Sequence, residues 1–183
     1  MQKILMKKDL SNLLLSMREK AGSARYPMEH LYFDDDYVYA TNGRIAGRVK
    51  QETMGAGLAL EKGLYKVLSI EKLDSSVNEL YLEPLIDITY PDIDIIFKTV
   101  DDYTPEKTID ISIPTKKREK NQVISTTIAK TAILSNHECC CDYTYIELLK
   151  GMSYTLSYNQ SGKQYYFRNE EIDVIILPLT VKE

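Results

Sequence analysis

The spacing of apolar residues predicts a strand and an amphipathic helix at the start of the chain. Gln2–Met6 has the composition of a short strand. Over Lys8–Lys20, apolar side chains recur every three or four residues, which places them on one face of a helix. Gly22 and Pro27 follow and end the predicted helix. The apolar face consists of Leu10, Leu13, Leu14 and Met17.

A stretch with the features of β-structure follows this helix. The alternation in Tyr37–Thr41 predicts a strand. Asn42-Gly43 comes next and predicts a hairpin with a type I′ turn, which needs positive φ at both central residues. The leucine spacing of Leu64–Leu73 predicts a second helix, and Tyr90-Pro91-Asp92 predicts a turn. Further strands are predicted over His30–Phe33, Arg44–Lys50, Glu79–Leu82 and Ile93–Phe97.

The second half of the chain repeats this order in a shorter form. The run Ile172–Leu179, apolar apart from Asp173, is typical of a strand that is buried on both faces. Helices are predicted over Gln122–Leu134 and Tyr143–Met152, and a basic loop over Pro114–Asn121. The remaining predicted strands are Thr108–Ile113 and the hairpin formed by Tyr154–Tyr158 and Gln164–Arg168.

Together these elements predict an α+β protein with few helices and mostly antiparallel strands. The acidic segment from Val100 to Glu106, which contains Pro105, is the predicted boundary between two subdomains. We expect two pseudo-repeated subdomains of antiparallel sheet with paired helices, over residues 1–100 and 101–183. The second subdomain is truncated, because it has fewer predicted strands in its middle.

Composition limits the class of protein. The chain has 183 residues, of which 44% are hydrophobic, so it is expected to fold around a core. The net charge of −4 does not indicate nucleic-acid binding, which would require basic residues to be sorted onto one face. Cys139, Cys140 and Cys141 are adjacent and odd in number, so no disulfide framework is predicted. The Met1–Lys8 segment is too short and charged for a signal peptide, and no apolar run reaches the roughly 20 residues of a membrane span. We therefore expect a cytoplasmic protein that does not enter a membrane.

The sequence lacks the motifs of common enzymes and predicts no cofactor. It contains neither a phosphate-binding loop nor a dinucleotide-binding glycine motif. His30 lies at the start of a predicted strand, where a structural role is expected. A zinc site formed by His137 and the three cysteines is an alternative, although consecutive cysteines lack the usual ligand spacing. The acidic run Asp34–Asp36 could bind a cation, but a solvated turn explains it as well.

Four segments resemble, in the same order, parts of the bacterial DNA polymerase III β sliding clamp. The segment Tyr39–Ala46 resembles the clamp signature A-T-D-G-H-R-L-A. Its matching part, Ala40–Ala46, has Asn42 in place of Asp and is one residue shorter than the signature. Tyr90-Pro91-Asp92 resembles the F-P-D-Y turn between the second and third clamp domains. Ala132–Asn136 is similar to a stretch of the last domain, and Val174–Leu179 resembles the ending V-V-M-P-M. The resemblance covers nearly the whole chain and implies a DNA-clamp-like fold.

The resemblance also implies a pocket for partner proteins. Clamps bind a short linear peptide of a DNA polymerase or another replication protein between their second and third domains. An apolar pocket with a few orienting polar groups suits such a ligand. Carried over residue by residue, the pocket consists of Thr41, Gly43, Arg44, Ile45, Pro91, Ile175, Leu177 and Pro178. The alternative is that the aliphatic residues are ordinary core and that Asn42-Gly43 is only a turn.

A further implication is non-specific contact with double-stranded DNA through basic residues on helices. The candidates lie on or beside the predicted helices and are Lys7, Lys8, Arg18, Lys20, Arg25, Lys66, Lys72, Lys130 and Lys150. Acidic residues share these helices, so a solvated helix surface is the alternative interpretation.

Departures from the clamp pattern leave three functions open. Nothing in the chain matches the first clamp domain, and only a few residues lie between Asn136 and Tyr143, where clamps have several strands. The chain also continues past the clamp-like ending, through Thr180–Glu183. One hypothesis is a processivity factor that assembles as a homo-oligomer, such as a trimeric ring around DNA. A second is a clamp-fold protein-binding module that forms no ring. The third is an unrelated α+β enzyme or ligand-binding protein.

Overall fold

The structure is a computed structural model that describes residues 1–54, 60–98, 104–110, 143–149, 152–159 and 164–177. Three α-helices occur in these ranges: α1 (Lys8–Ser16), α2 (Asp94–Lys98) and α3 (Tyr143–Leu148). Two short 3-10 helices cover Tyr26–Glu29 and Gln51–Thr53. The first six strands are β1 (Gln2–Lys7), β2 (Leu31–Phe33), β3 (Tyr37–Thr41), β4 (Ile45–Lys50), β5 (Gly63–Lys72) and β6 (Val77–Leu85). The other four are β7 (Thr104–Asp110), β8 (Ser153–Asn159), β9 (Gln164–Arg168) and β10 (Ile172–Ile176).

All ten described strands form one antiparallel sheet. Their order is β1-β6-β5-β2-β3-β4-β10-β9-β8-β7. The six strands from the first half of the sequence are therefore adjacent, and the four from the second half extend the same sheet. The junction is the β4–β10 pair, in which Ile176 lies opposite Ile45 and Ile172 lies opposite Val49. This sheet confirms the predicted α+β class with antiparallel strands, while the predicted subdomain boundary near residue 100 remains a prediction.

One face of the sheet is covered by α1. The helix forms because its apolar residues repeat at helical spacing, and Leu10, Leu13 and Leu14 are all buried against the strands. Met17, just after the helix, is fully buried against Gly47 of β4, where a Cβ atom would overlap the methionine sulfur. The same core continues beneath the second half through β8, β9, β10 and residues of α3. We call this side of the sheet the helix face.

The opposite side, called the outer face here, carries a second and smaller core. Its buried members include Tyr39 of β3, Ala46 of β4 and Ile175 of β10. The connecting segment 86–98, between β6 and β7, folds back over this face and supplies the remaining apolar cover. Its buried residues are Tyr90, Ile93 and Phe97.

β10 is buried on both faces, as its largely apolar run predicted. All five of its residues are buried, with Val174 in the helix-face core and Ile175 in the outer-face core. The hairpin of β8 and β9 is also confirmed.

Two sequence predictions are wrong, each for a local reason. Leu64–Leu73 is not a helix but falls almost wholly in strand β5, which pairs with β6 along its length. A β-bulge between Val67 and Ser69 shifts the alternation and produces a spacing that imitates a helix. Ile93–Phe97 is not a strand, because helix α2 occupies Asp94–Lys98.

Other predictions are confirmed with adjusted bounds. Helix α1 ends four residues before Lys20, and the Asn42-Gly43 hairpin exists. Its turn is not type I′, because Gly43 has a φ of 81° but Asn42 has no positive φ. The predicted helix Gln122–Leu134, the basic loop Pro114–Asn121 and the cysteine cluster lie outside the described residues. Within the described ranges, no helix is long and apolar enough to cross a bilayer, and no three potential metal ligands group together.

Candidate functional site

The turn between β3 and β4 is held in one conformation by its own side chains. The Thr41 hydroxyl donates to the carbonyl oxygen of Ile45 at 2.8 Å and accepts from the Gly43 amide at 3.0 Å. The Asn42 side-chain oxygen accepts from the amides of Arg44 and Ile45 at 3.0 and 3.1 Å. These bonds satisfy backbone groups that the short turn leaves unpaired. The result is a rigid polar end to the hairpin.

The end of β10 is attached to this turn. The Leu177 amide donates to the carbonyl oxygen of Arg44 at 2.8 Å. Ile175 lies opposite Ala46 and is buried in the outer-face core, and Leu177 packs partly buried against the same core. Ala46 also pairs with Thr41 of β3, the neighbouring strand on the other edge of β4. Thr41 and Ile175 therefore both lie on the outer face.

Five of the eight predicted pocket residues therefore come together. Thr41, Gly43 and Arg44 lie beside Ile175 and Leu177 at one end of β3, β4 and β10. We call this group the β4–β10 end site. Pro91 is exposed and follows Tyr90, whose ring is buried in the outer-face core. Ile45 is only 1% exposed and belongs to the helix-face core, so its side chain lies on the wrong side of the sheet. Pro178 lies outside the described residues.

Two residues that the predicted pocket did not include lie on the turn. The Arg25 guanidinium donates from Nη1 to the carbonyl oxygen of Asn42 at 3.0 Å. A Cβ atom added to Gly43 would lie 2.6 Å from that nitrogen and 3.9 Å from the Met28 sulfur. Arg25 and Arg44 are both exposed, and neither makes an ion pair with a carboxylate of the described residues. The site thus has an apolar floor and a cationic rim.

Several residues predicted to face DNA are engaged elsewhere. The Arg18 side chain donates to the carbonyl oxygens of Leu15 and Glu29 at 3.2 and 3.0 Å, and burial lowers its pKa. Lys7 forms an ion pair with Glu171. The prediction that Lys66 and Lys72 lie on a helix is wrong, because both are exposed on strand β5. Lys130 and Lys150 lie outside the described residues.

The exposed side of α1 is not basic. Asp9, Asn12 and Ser16 are its exposed positions, and Lys8 is partly exposed at its first position. Lys20 is exposed but follows the helix end. The described DNA-facing candidates are therefore divided among β1, α1, the segment after α1 and β5, and they do not form one stripe on α1.

Arg48 of β4 is the centre of an ionic cluster on the outer face. Its Nε donates to Asp173 of β10 at 2.8 Å, and its Nη1 lies 3.6 Å from Asp94 of α2. Burial acts to lower the pKa of Arg48, but the hydrogen bond and charge of Asp173 outweigh it, so the pKa is raised. The hydrogen bond from Lys98 is the largest influence that lowers the pKa of Asp94.

The acidic run beside this cluster acts as a turn. One oxygen of Asp34 accepts from the amides of Asp36 and Tyr37, at 2.9 and 2.7 Å. Its other oxygen accepts from the Tyr39 hydroxyl at 2.7 Å. Burial, together with this bond, raises the pKa of Tyr39. Asp34 is thus committed to hydrogen bonds within its own turn.

Solved structures share the fold of this chain, whereas no protein-family model and no curated protein sequence matches it. The Helicobacter pylori β clamp bound to a DNA ligase peptide superposes with a TM-score of 0.54 and 13% identity, over 98% of this chain and 66% of the clamp. The Thermotoga maritima DNA polymerase III β subunit superposes with a TM-score of 0.52 and 9% identity, over 100% of this chain and 65% of that subunit. The Borrelia burgdorferi subunit, in complex with a natural product, superposes with a TM-score of 0.51 and 12% identity, over 98% of this chain and 63% of that subunit.

These matches confirm the clamp-like fold that the sequence resemblance implied. The chain has the architecture of a bacterial sliding clamp and spans slightly less than two thirds of the length of those clamps.

Proposed function

We propose, from this shared fold, that the chain is a sliding-clamp-type accessory protein of DNA replication. It docks a short linear peptide of a DNA polymerase or another replication protein at the β4–β10 end site. The observation that carries the proposal is the Leu177–Arg44 hydrogen bond, which attaches the last described strand to the β3–β4 turn. Residues far apart in sequence thereby form one surface next to the outer-face core. This docking role requires no catalytic group and no cofactor.

The chemistry of the site favours a peptide with both apolar and acidic side chains. Ile175 and Leu177 offer an aliphatic surface, and Thr41 lies beside them on the same face. Arg25 and Arg44 stand at the rim with no carboxylate of the described residues to neutralise them. A peptide carboxylate would find charge-assisted donors there.

A binding assay with a labelled peptide tests this proposal. The Helicobacter pylori clamp is described with a DNA ligase peptide, and that peptide, carrying a fluorophore, serves as the probe. We expect saturable binding by fluorescence anisotropy, and a loss of about tenfold or more in affinity for Leu177→Ala, since truncation removes contact area worth roughly 1.4 kcal/mol or more.

The matched control is Leu73→Ala, a leucine with 58% exposure just after β5. It should bind the probe like the unmodified protein. Ile45→Ala is a poor test, because Ile45 is buried on the opposite face and its loss would destabilise the fold. Equal affinity for Leu177→Ala and the unmodified protein would exclude the β4–β10 end site as the docking position.

A second candidate function is docking without a ring around DNA. The exposed side of α1, with Asp9, Asn12 and Ser16, favours this candidate because a DNA-lining helix needs cations there. Light scattering on a sizing column at low salt separates the two. A trimer or other closed ring that is retained on closed circular DNA supports the processivity factor. A monomer that binds the peptide but not the DNA supports the docking module.

A further inference from the structure

We propose that Arg48 is a positioning residue for the β4–β10 end site, an inference that rests on the proposed docking function. Arg48 holds helix α2 and the preceding Tyr90-Pro91 turn against the outer face. It does this across the junction of the two halves of the sheet, without belonging to the end site itself.

An ionic ladder crosses three strands and has Arg48 at one end. Arg48 lies directly opposite Asp173, which lies directly opposite Arg168. The Arg48 Nε–Asp173 Oδ2 distance is 2.8 Å, and the Arg168 Nε–Asp173 Oδ1 distance is 3.4 Å. The side chains of Arg48 and Asp173 are 13% and 6% exposed, whereas that of Arg168 is 56% exposed. Arg48 is thus the desolvated member that joins β4 to β10, and Arg168 is its solvated counterpart.

Arg48 also contacts α2. The guanidinium carbon lies 4.3 Å from the ring centre of Tyr37 and 4.5 Å from that of Phe97. Nη1 is 3.6 Å from a carboxylate oxygen of Asp94. Both Phe97 and Asp94 belong to α2, a helix of five residues that has little stability of its own. Because a planar guanidinium can stack on rings while its edge donates to carboxylates, a lysine cannot reproduce the arrangement.

The outer-face core connects α2 to the docking surface. Phe97, Ile93 and Tyr90 share the outer-face core with Ile175, and Leu177 packs against that core. A shift of α2 would therefore change the position of the Tyr90-Pro91 turn relative to the floor of the site. Peptide affinity then depends on a residue of β4 that the peptide need not touch.

The test combines peptide binding with hydrogen exchange in three variants. Arg48→Lys keeps the charge, and Arg48→Met keeps the length of the side chain. Arg168→Met is the control, because Arg168 shares Asp173 but makes no ion pair with α2 within the described part of the chain. We expect amides of residues 93–98 to exchange roughly tenfold faster in both Arg48 variants, and their affinity for the labelled ligase peptide to fall about tenfold. The Arg168→Met variant should stay within about twofold in both measurements.

Asp94→Ala keeps the test decisive if the Arg48 variants do not fold. This variant removes one α2 contact of Arg48 from a carboxylate that is 34% exposed. We expect the same two changes at about two- to fivefold. Circular dichroism and urea unfolding establish which variants are folded.

The outcomes separate this inference from the proposed function. Folded Arg48 variants with unchanged exchange and unchanged affinity would overturn it, as would full rescue of both by lysine. Faster exchange with unchanged affinity would also overturn it, because α2 would then be held by Arg48 without positioning the site. If the unmodified protein binds no peptide, the proposed docking function fails. Hydrogen exchange remains a separate test in that case, because slower or unchanged exchange in the Arg48 variants would refute the claim that Arg48 holds α2 in place.

Discussion

Gly43→Ala is the substitution for which the structure makes the sharpest prediction. Gly43 has a φ of 81°, which costs an L-residue free energy, and its missing side chain leaves room for Arg25. Gly22 provides a matched control in the same molecule. It has a φ of 80°, but a Cβ there would meet nothing within 4 Å. Comparing the two alanine variants separates backbone strain from the Arg25 contact.

The magnitude follows from these two contributions. Forcing alanine into the left-handed region costs about 1–2 kcal/mol, partly offset by about 0.4–1 kcal/mol from the stiffer unfolded chain. Gly22→Ala should therefore destabilise the protein by roughly 0.5–1.5 kcal/mol. Gly43→Ala adds the displacement of Arg25 Nη1, which would be 2.6 Å from the new carbon. Since that nitrogen donates to the Asn42 carbonyl, the extra cost is about 1 kcal/mol.

Urea unfolding followed by circular dichroism measures these differences, provided that the slope with urea is the same in all variants. We expect Gly43→Ala to lower the free energy of unfolding by about 1 kcal/mol more than Gly22→Ala does. This excess should vanish when each glycine is replaced separately in an Arg25→Ala background. Equal costs in the unmodified background would refute the reasoning. An excess that survives without Arg25 would show that the clash lies elsewhere.

Three further substitutions test other parts of the fold by the same unfolding measurement. Gly47→Ala should cost about 1–3 kcal/mol, because its Cβ overlaps the buried Met17 sulfur, and adding Met17→Ala should cost less than the sum of the single changes. His30 is 5% exposed, and burial lowers its pKa below the ordinary 6.5, so the unfolded chain takes up a proton first. The contribution of His30 to the free energy of unfolding should be fully present above pH 6.5 and be lost as the pH drops below that value. This pH-dependent contribution should be absent in His30→Phe. Asn78→Ala should cost about 1–2 kcal/mol, since Asn78 is 5% exposed and donates to the Ser11 hydroxyl at 2.8 Å; no loss in Asn78→Ala would contradict a structural role for that bond.

Local patterns predicted most strands, because alternation and turns are short-range properties. Tyr37–Thr41 has the bounds that its alternation indicated, and the late hairpin pairs as expected. Strand β5 was not predicted, because the bulge near Val67 adds one residue and reverses the alternation after it. α2 was missed because five residues are too few for a helical period. Its stability comes from burial of Phe97 and from partners on other strands, which no local pattern contains.

The candidate site was predictable only in part. The family resemblance named Thr41 and Leu177, which the structure places together. Strand alternation alone could not separate Ile45 from Ile175, because their opposite faces follow from the pairing of Ile175 with Ala46, which the structure shows. Arg25 could not be placed on the turn from sequence, since its contact with Asn42 spans 17 residues that include strands β2 and β3.

The position of β10 in the sheet has a consequence for how the chain acquires its structure during synthesis. Arg48 and Asp173 are adjacent across the β4–β10 junction but 125 residues apart in sequence. Until the residues of β10 leave the ribosome, β4 has an unpaired edge and the outer-face core lacks Ile175. Such long-range pairing slows folding, because a large loop must close before the contact forms. Nascent chains that end before β10 should therefore depend on chaperones more than the longer chains that contain it.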